Sequence, residues 1–302
     1  MAGVSGLGAV AVNLDGVLLE DTFSPVIRRL AVAHGVAYTR ELESAVLSQP
    51  RRVAARVLAR AIGSGVGAGR VTGMYFAERE RYVREHPVRL TSGALGLVGR
   101  LRGLGWDVVC YGGLGERHFD RYLGGWRSWF SGPGYVCTDG FRPGIEEIAR
   151  GCFGLEPSRV LFIDDVARFA VHARAVRAPF IGHPSSSGQG FQREAMREAG
   201  VRHLVHRLDA IDATLLHTLD REAALDTVWP QEHPTPTSTG TGTPALAGAG
   251  VSAGTGAGAG VGGGAGLVPA GKSVLVAGAG SGVGADAGAA ACVGGGRLGV
   301  RV

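Results

Sequence analysis

The sequence predicts an α/β protein: a doubly wound, Rossmann-like parallel sheet, an α-helical segment inserted after its first strand, and a Gly/Ala-rich tail without order. Three observations predict it. Five short apolar, β-branched runs are each bounded by turn residues, and helical periodicity separates most of them. Composition then shifts sharply near residue 233, beyond which there is no Phe, Trp or Tyr.

The first run, "GAVAVNL", is rich in Ala and Val and ends at Asn13, Asp15 and Gly16. Open parallel sheets place their ligands at the carboxyl ends of strands, so this acidic turn is a candidate site. Residues 21–87 show helical periodicity and no strand signal. "SPVIRRLAVAHGV", "TRELESAVLSQPRRVAARVLARAI" and "GMYFAERERYVREH" read as helices, with "GSGVGAG" as a loop among them. An insertion at this point would stand over the carboxyl edge of the sheet, where a cap over a site belongs. "WDVVCYGG", "GYVCTD", "RVLFIDD" and "APFIGH" supply the other four strands. Residues 94–103, 144–154 and "ARFAVHARAV" carry apolar positions at helical spacing, and residues 190–228 read as one or two closing helices. The expected organisation is a core of residues 1–20 and 88–230, a helical cap over 21–87, and a low-complexity tail over 233–302. Such a tail buries too little apolar surface to offset its ordering entropy.

The formal charge of +5 comes from arginine, since Lys272 is the only lysine. Arg52, Arg56 and Arg60 share one helical face that would suit an acidic partner, although a solvated face is the preferred reading. The four cysteines show no CxxC spacing, which suits buried free thiols in a reducing compartment. The first apolar run lacks a basic flank and is too short to span a bilayer. A cytoplasmic protein with no membrane partner is the expectation.

Taken together, these strand ends resemble the haloacid dehalogenase-like (HAD) hydrolase superfamily, with a helical cap of the first-loop type, over about residues 7–183. The resemblance implies a HAD-like sheet and four motifs. In "VAVNLDGVLL" it places Asn13 at the position of the nucleophilic Asp and Asp15 at that of the general acid/base. An amide oxygen is a far weaker nucleophile than a carboxylate and would form no comparable acyl-phosphate. In "CYGGLGE" it places Gly112, with Gly113 after it, where a Ser or Thr would hold the phosphoryl group; a backbone N–H there could still meet an anion. Tyr111 is the other hydroxyl nearby, although its place in the strand pattern suits the core.

"FRPG" places Arg142 at the phosphate-neutralising Lys position. Arginine keeps the charge but not the point geometry. In "FIDDVARF" the pair Asp164 and Asp165 stands at the acidic motif, with Phe169 where Asp or Asn is usual. The implied cofactor is Mg²⁺, held by the Asp15 backbone carbonyl, Asp164 and Asp165 and weakened by the neutral Asn13. An alternative keeps the acids as turn and cap residues, with Asp15 shaping a tight turn and Asp165 capping the next helix.

Three further features carry less. "KSVLVAGAGSGVGADAG" resembles a dinucleotide-binding turn at Gly278, Gly282 and Gly284, but lacks the following helix and acidic partner. His118 and His172 read as surface or helix-packing residues without a partner acid. Trp126, Trp129 and Phe130 beside Arg121 and Arg127 read as helix-to-sheet packing. The preferred functional expectation is therefore a HAD-like protein with lost or reduced phosphatase turnover, binding a small phosphorylated or anionic ligand or a protein partner. An active Mg²⁺-dependent hydrolase is the alternative, and an Arg-rich polyanion-binding module is a distant third.

Overall fold

The computed structural model describes residues 6–63, 65–185 and 190–230. The tail readings, including Gly278, Gly282 and Gly284, lie outside the described residues.

All five expected strands form, as one parallel sheet in the order β3-β2-β1-β4-β5. They are β1 (Ala9–Asn13), β2 (Asp107–Gly112), β3 (Tyr135–Cys137), β4 (Val160–Asp164) and β5 (Phe180–Gly182). β1 lies at the centre, and every one of its residues is buried. A strand covered on both faces has no solvated side to alternate toward, which is why it reads as a continuous Ala/Val run. The chain grows outward from β1 in both directions, to β2 and β3 on one side and to β4 and β5 on the other. Register aligns Asn13 with Tyr111, and Val12 with Ile163, so the ends of β1, β2 and β4 form one ledge.

Nine α-helices are among the described residues. Four lie between β1 and β2: α1 (Phe23–Ala33), α2 (Arg40–Val46), α3 (Arg51–Ile62) and α4 (Ala68–Glu85). The stretch read as one helix over 39–62 is two, because Pro50 has no N–H to donate and disfavours helical backbone in the residue before it. The helical insert has an apolar cluster of its own, with Ile27, Leu30, Leu42, Val46, Leu58 and Val71 at its centre. Its two connections run side by side: Glu20 N–H donates to the Arg89 carbonyl and Thr91 N–H to the Leu18 carbonyl.

The remaining helices are α5 (Ala94–Gly103), α6 (Glu116–Leu123), α7 (Ala167–Ala175), α8 (Gln192–Glu198) and α9 (Ala213–Ala224). The helix expected over 144–154 is shorter, a π-helical turn over Glu147–Cys152. Trp126 and Trp129 pack against the main core, and the exposed Arg52, Arg56 and Arg60 face solvent. No helix among the described residues is long and apolar enough to cross a membrane.

Candidate active site

The turn after β1 builds the floor of the site. Gly16, at φ +92°, lets the chain reverse, and its N–H donates to the Leu19 carbonyl. A Cβ on Gly16 would fall 2.1 Å from Asp165 Oδ2, so only glycine lets the β4-end carboxylate lie against this backbone. Asn13, 5% exposed, donates from Nδ2 to two acceptors, the Asp15 carbonyl and Asp165 Oδ1, at 2.9 Å each. Asn13 Oδ1 and Asp15 Oδ2 are buried and have no hydrogen-bond partner among the described residues.

Asp15 Oδ1 lies 2.8 Å from His118 Nε2 on α6. His118 is therefore not the unpartnered packing residue its sequence position implied; its ring faces the acid at the site. The available signal was its place in the first turn of the helix that follows β2, since such a turn begins over the carboxyl edge of the sheet. His172, by contrast, is exposed, and its Nδ1 lies 2.8 Å from the Arg168 carbonyl.

The acidic pair at the end of β4 divides. Asp164 Oδ2 accepts from the Tyr111 hydroxyl at 2.6 Å, and Oδ1 accepts from the Val166 N–H at 2.8 Å. Asp164, and not Asp165, therefore turns back on the backbone before α7; Asp165 faces the cavity instead. Burial pushes the Asp164 carboxyl up to about 6. Burial, and then the nearby Asp164 and Asp21 carboxylates, push Asp165 well above the usual carboxylate range. Tyr111 is a core residue, 1% exposed, stacked on Phe169 at 5.3 Å between ring centres. Phe169 thus fills with an aromatic ring the place where a polar residue was expected, and the ring packs against the tyrosine that holds Asp164.

On the other side of β1, Thr138 links the substituted positions Arg142 and Gly112. Arg142 lies across Gly113: a Cβ there would stand 3.2 Å from its guanidinium carbon. Its Nε donates to Thr138 Oγ1, whose hydroxyl donates in turn to the Gly112 carbonyl. Gly112 is enclosed as well. A Cβ on it would meet the Tyr135 hydroxyl at 2.8 Å, and that hydroxyl is committed to the Leu114 carbonyl. Gly112 does not line the cavity, whereas Gly113 and Arg142 do. Arg142 has no carboxylate within ion-pair distance among the described residues.

Above this floor is a cavity of about 110 Å³. Asn13, Asp15, Asp21, Asp165, Arg142 and Gly113 line it below, and Phe23, Leu47, Leu58, Tyr75 and Phe76 of the helical insert line it above. Asp21 Oδ1 accepts from the Phe23 and Ser24 N–H groups at the start of α1, and its buried Oδ2 has no partner among the described residues. The insert is tied down over the cavity by Arg51, which pairs with Asp139 at 3.0 Å, and by buried Glu43, which accepts from Gln192 and the Phe191 N–H.

No protein-family model matches the sequence, and no curated protein matches it. Solved structures do. The fold is haloacid dehalogenase-like. A HAD hydrolase of family IA, variant 3, from Entamoeba histolytica is 15% identical with a TM-score of 0.54, over 71% of this chain and 100% of that one. A haloacid dehalogenase-like protein from Agrobacterium tumefaciens is 17% identical with a TM-score of 0.51, over 70% and 99%. A HAD family hydrolase from Deinococcus radiodurans, solved with bound phosphate and sodium, is 18% identical with a TM-score of 0.50, over 74% and 98%.

Mg²⁺, the cofactor that the haloacid dehalogenase-like resemblance implies, needs close to octahedral oxygen donors, carboxylates among them. The residues present do not fit it. The Asp15 carbonyl and Asp165 Oδ1 are both turned to the Asn13 NH₂ group, and both oxygens of Asp164 are engaged within the fold. Among the described residues no group of three or more His, Cys, Asp or Glu side chains could hold a metal ion.

Proposed function

We propose that this haloacid dehalogenase-like chain binds a small phosphorylated or anionic ligand in the cavity between its strand ends and a helical cap formed by residues 21–87. In this reading its covalent phosphatase turnover is lost or much reduced. The observation that carries it is Asn13. The residue at the end of the central strand is an amide, and its NH₂ group is held by the Asp15 carbonyl and Asp165. No carboxylate stands there to attack phosphorus. Arg142 and the backbone at Gly113 would receive the anionic group, and the apolar residues of the cap would receive the rest of the ligand.

A second reading, turnover with water as the nucleophile, is favoured by the Asp15–His118 pair at 2.8 Å. A carboxylate joined to an imidazole can pass a proton, so general acid/base capacity survives where the nucleophile does not. The test is hydrolysis of an activated aryl phosphate and a panel of sugar phosphates, with and without Mg²⁺, by wild type and Asn13→Asp. The proposal expects wild type at background, and any recovered activity in Asn13→Asp alone. Robust wild-type turnover that is lost in His118→Ala and Asp15→Asn would establish the second reading instead.

A further inference from the structure

We propose that the Asn13 amide takes the place of the divalent cation, so that this site assembles and binds its ligand without a metal ion. The inference goes beyond the loss of the nucleophile and stands whether or not turnover survives.

An amide nitrogen carries two hydrogens, and both are used here. One is directed to the Asp15 carbonyl and the other to Asp165 Oδ1, each at 2.9 Å. Those two oxygens, of Asp15 and Asp165, come from different strand ends, and they converge on one nitrogen. Convergent acceptors in a buried place repel one another unless a positive group lies between them. A metal ion is one solution and a neutral double donor is another. They exclude each other in space, because hydrogen-bonded oxygens stand about 2.9 Å from a nitrogen, whereas Mg²⁺ draws oxygens to about 2.1 Å.

To admit the ion, Asn13 would have to break both hydrogen bonds and turn its oxygen inward, contributing a neutral ligand where a charged one is favoured. Asp165 cannot readily compensate by moving. One of its faces lies against the Gly16 backbone, where a Cβ would stand 2.1 Å from Oδ2, and Oδ1 is held by the amide. Asp164 cannot supply the missing charge, being engaged by Tyr111 and the Val166 N–H. Asn13 Oδ1, turned away from both acceptors, is left buried without a donor among the described residues.

The experiment measures metal binding directly, on the full chain stripped with a chelator. Wild type, Asn13→Asp and Asp165→Asn are titrated with Mn²⁺ by EPR, and their melting temperatures are recorded with and without millimolar MgCl₂. Wild type is expected to take up no Mn²⁺ at one-to-one stoichiometry and to melt at the same temperature in either buffer. Asn13→Asp is expected to melt lower than wild type without metal and to rise by roughly 2–4 °C with it, since an ion bound only to the folded state stabilises that state.

One-to-one Mn²⁺ binding by wild type that is lost in Asp165→Asn overturns the inference. So does an Asn13→Asp protein that folds and ignores metal, because the amide would not then be what stands in the ion's place. If Asn13→Asp folds in neither buffer, Asn13→Ser replaces it, as it vacates the amide's place and keeps a neutral oxygen. Mn²⁺ uptake gained by Asn13→Ser supports the inference, and none overturns it. The hydrolysis assay is independent of these outcomes. Metal uptake by an inactive wild type rejects this inference alone, and metal-free turnover rejects the proposed loss of activity alone.

Discussion

The floor of the cavity and its roof are built by opposite means. The floor, at the ends of β1, β2 and β4, is a chain of buried polar groups: His118 to Asp15, Asn13 to Asp165, Tyr111 to Asp164, and Arg142 to Thr138. The first three pairs each join two strand ends or a strand end and a helix, and Arg142 and Thr138 lie four residues apart in the turn after β3. The roof is apolar packing among four helices, Ile27, Leu30, Leu58 and Val71 among them, held to the core by a few pairs such as Arg51–Asp139. Buried polar networks tolerate little change, since a lost partner leaves a desolvated group unpaired. Apolar packing at a partly exposed surface spreads the cost of change over many contacts. The same substitution should therefore have opposite consequences in the two places.

Gly16→Ala is the sharpest test and carries the largest expected effect. The new Cβ would overlap Asp165 Oδ2, and alanine resists φ +92°. A loss of about 3 kcal/mol or more in unfolding free energy is expected, read from the urea midpoint at constant slope. A loss below about 1 kcal/mol would mean that Asp165 is free to withdraw, and that the floor is less tightly determined than its hydrogen bonds imply.

The second test uses pH. The Asp164 carboxyl holds its proton up to about 6 in the folded chain, against 3.8 for the ordinary group. Between those values the folded state binds more protons than the unfolded state. The stability contributed by this group therefore falls as pH rises from about 4 to about 6 and is spent above that. The expected fall from this group is on the order of 2–3 kcal/mol. Asp164→Asn removes its share, so unfolding free energies of the variant across the same range should decline less. Equal slopes in the two proteins would show that another group governs the titration.

The positions of these groups were legible in the sequence to different depths. Five apolar runs bounded by turns indicated the sheet, because a strand covered on both faces has no other way to be written. The strand ends then placed Asn13, Asp15, Arg142 and Asp165 near one another, since topology alone brings carboxyl ends to one edge. What stayed hidden were relations between side chains. Gly112 and Arg142 read as two separate departures, whereas in space Thr138 joins them, accepting from Arg142 Nε and donating to the Gly112 carbonyl. Tyr111 and Phe169 read as a core residue and a lost polar group, yet their rings stack beside the carboxylate that Tyr111 holds. His118 reads as a packing residue because helix periodicity says which face is apolar and not which polar atom waits across the ledge. Pro50 marks a break that the apolar periodicity on either side of it runs straight across.

The smallest effect is expected in the roof, and it has the opposite sign. Gly73 lies inside α4, is exposed, and has nothing within 4 Å of where a Cβ would be. Glycine within a helix costs conformational entropy that alanine does not. Gly73→Ala should therefore stabilise the chain by about 0.5–1 kcal/mol, visible as a higher urea midpoint. Because Gly16→Ala and Gly73→Ala make the same chemical change, the difference between them isolates the setting of the residue from its identity. A neutral or destabilising Gly73→Ala would show that α4 meets a constraint that its open surroundings do not reveal. The contrast would then lie within the roof as well as between roof and floor.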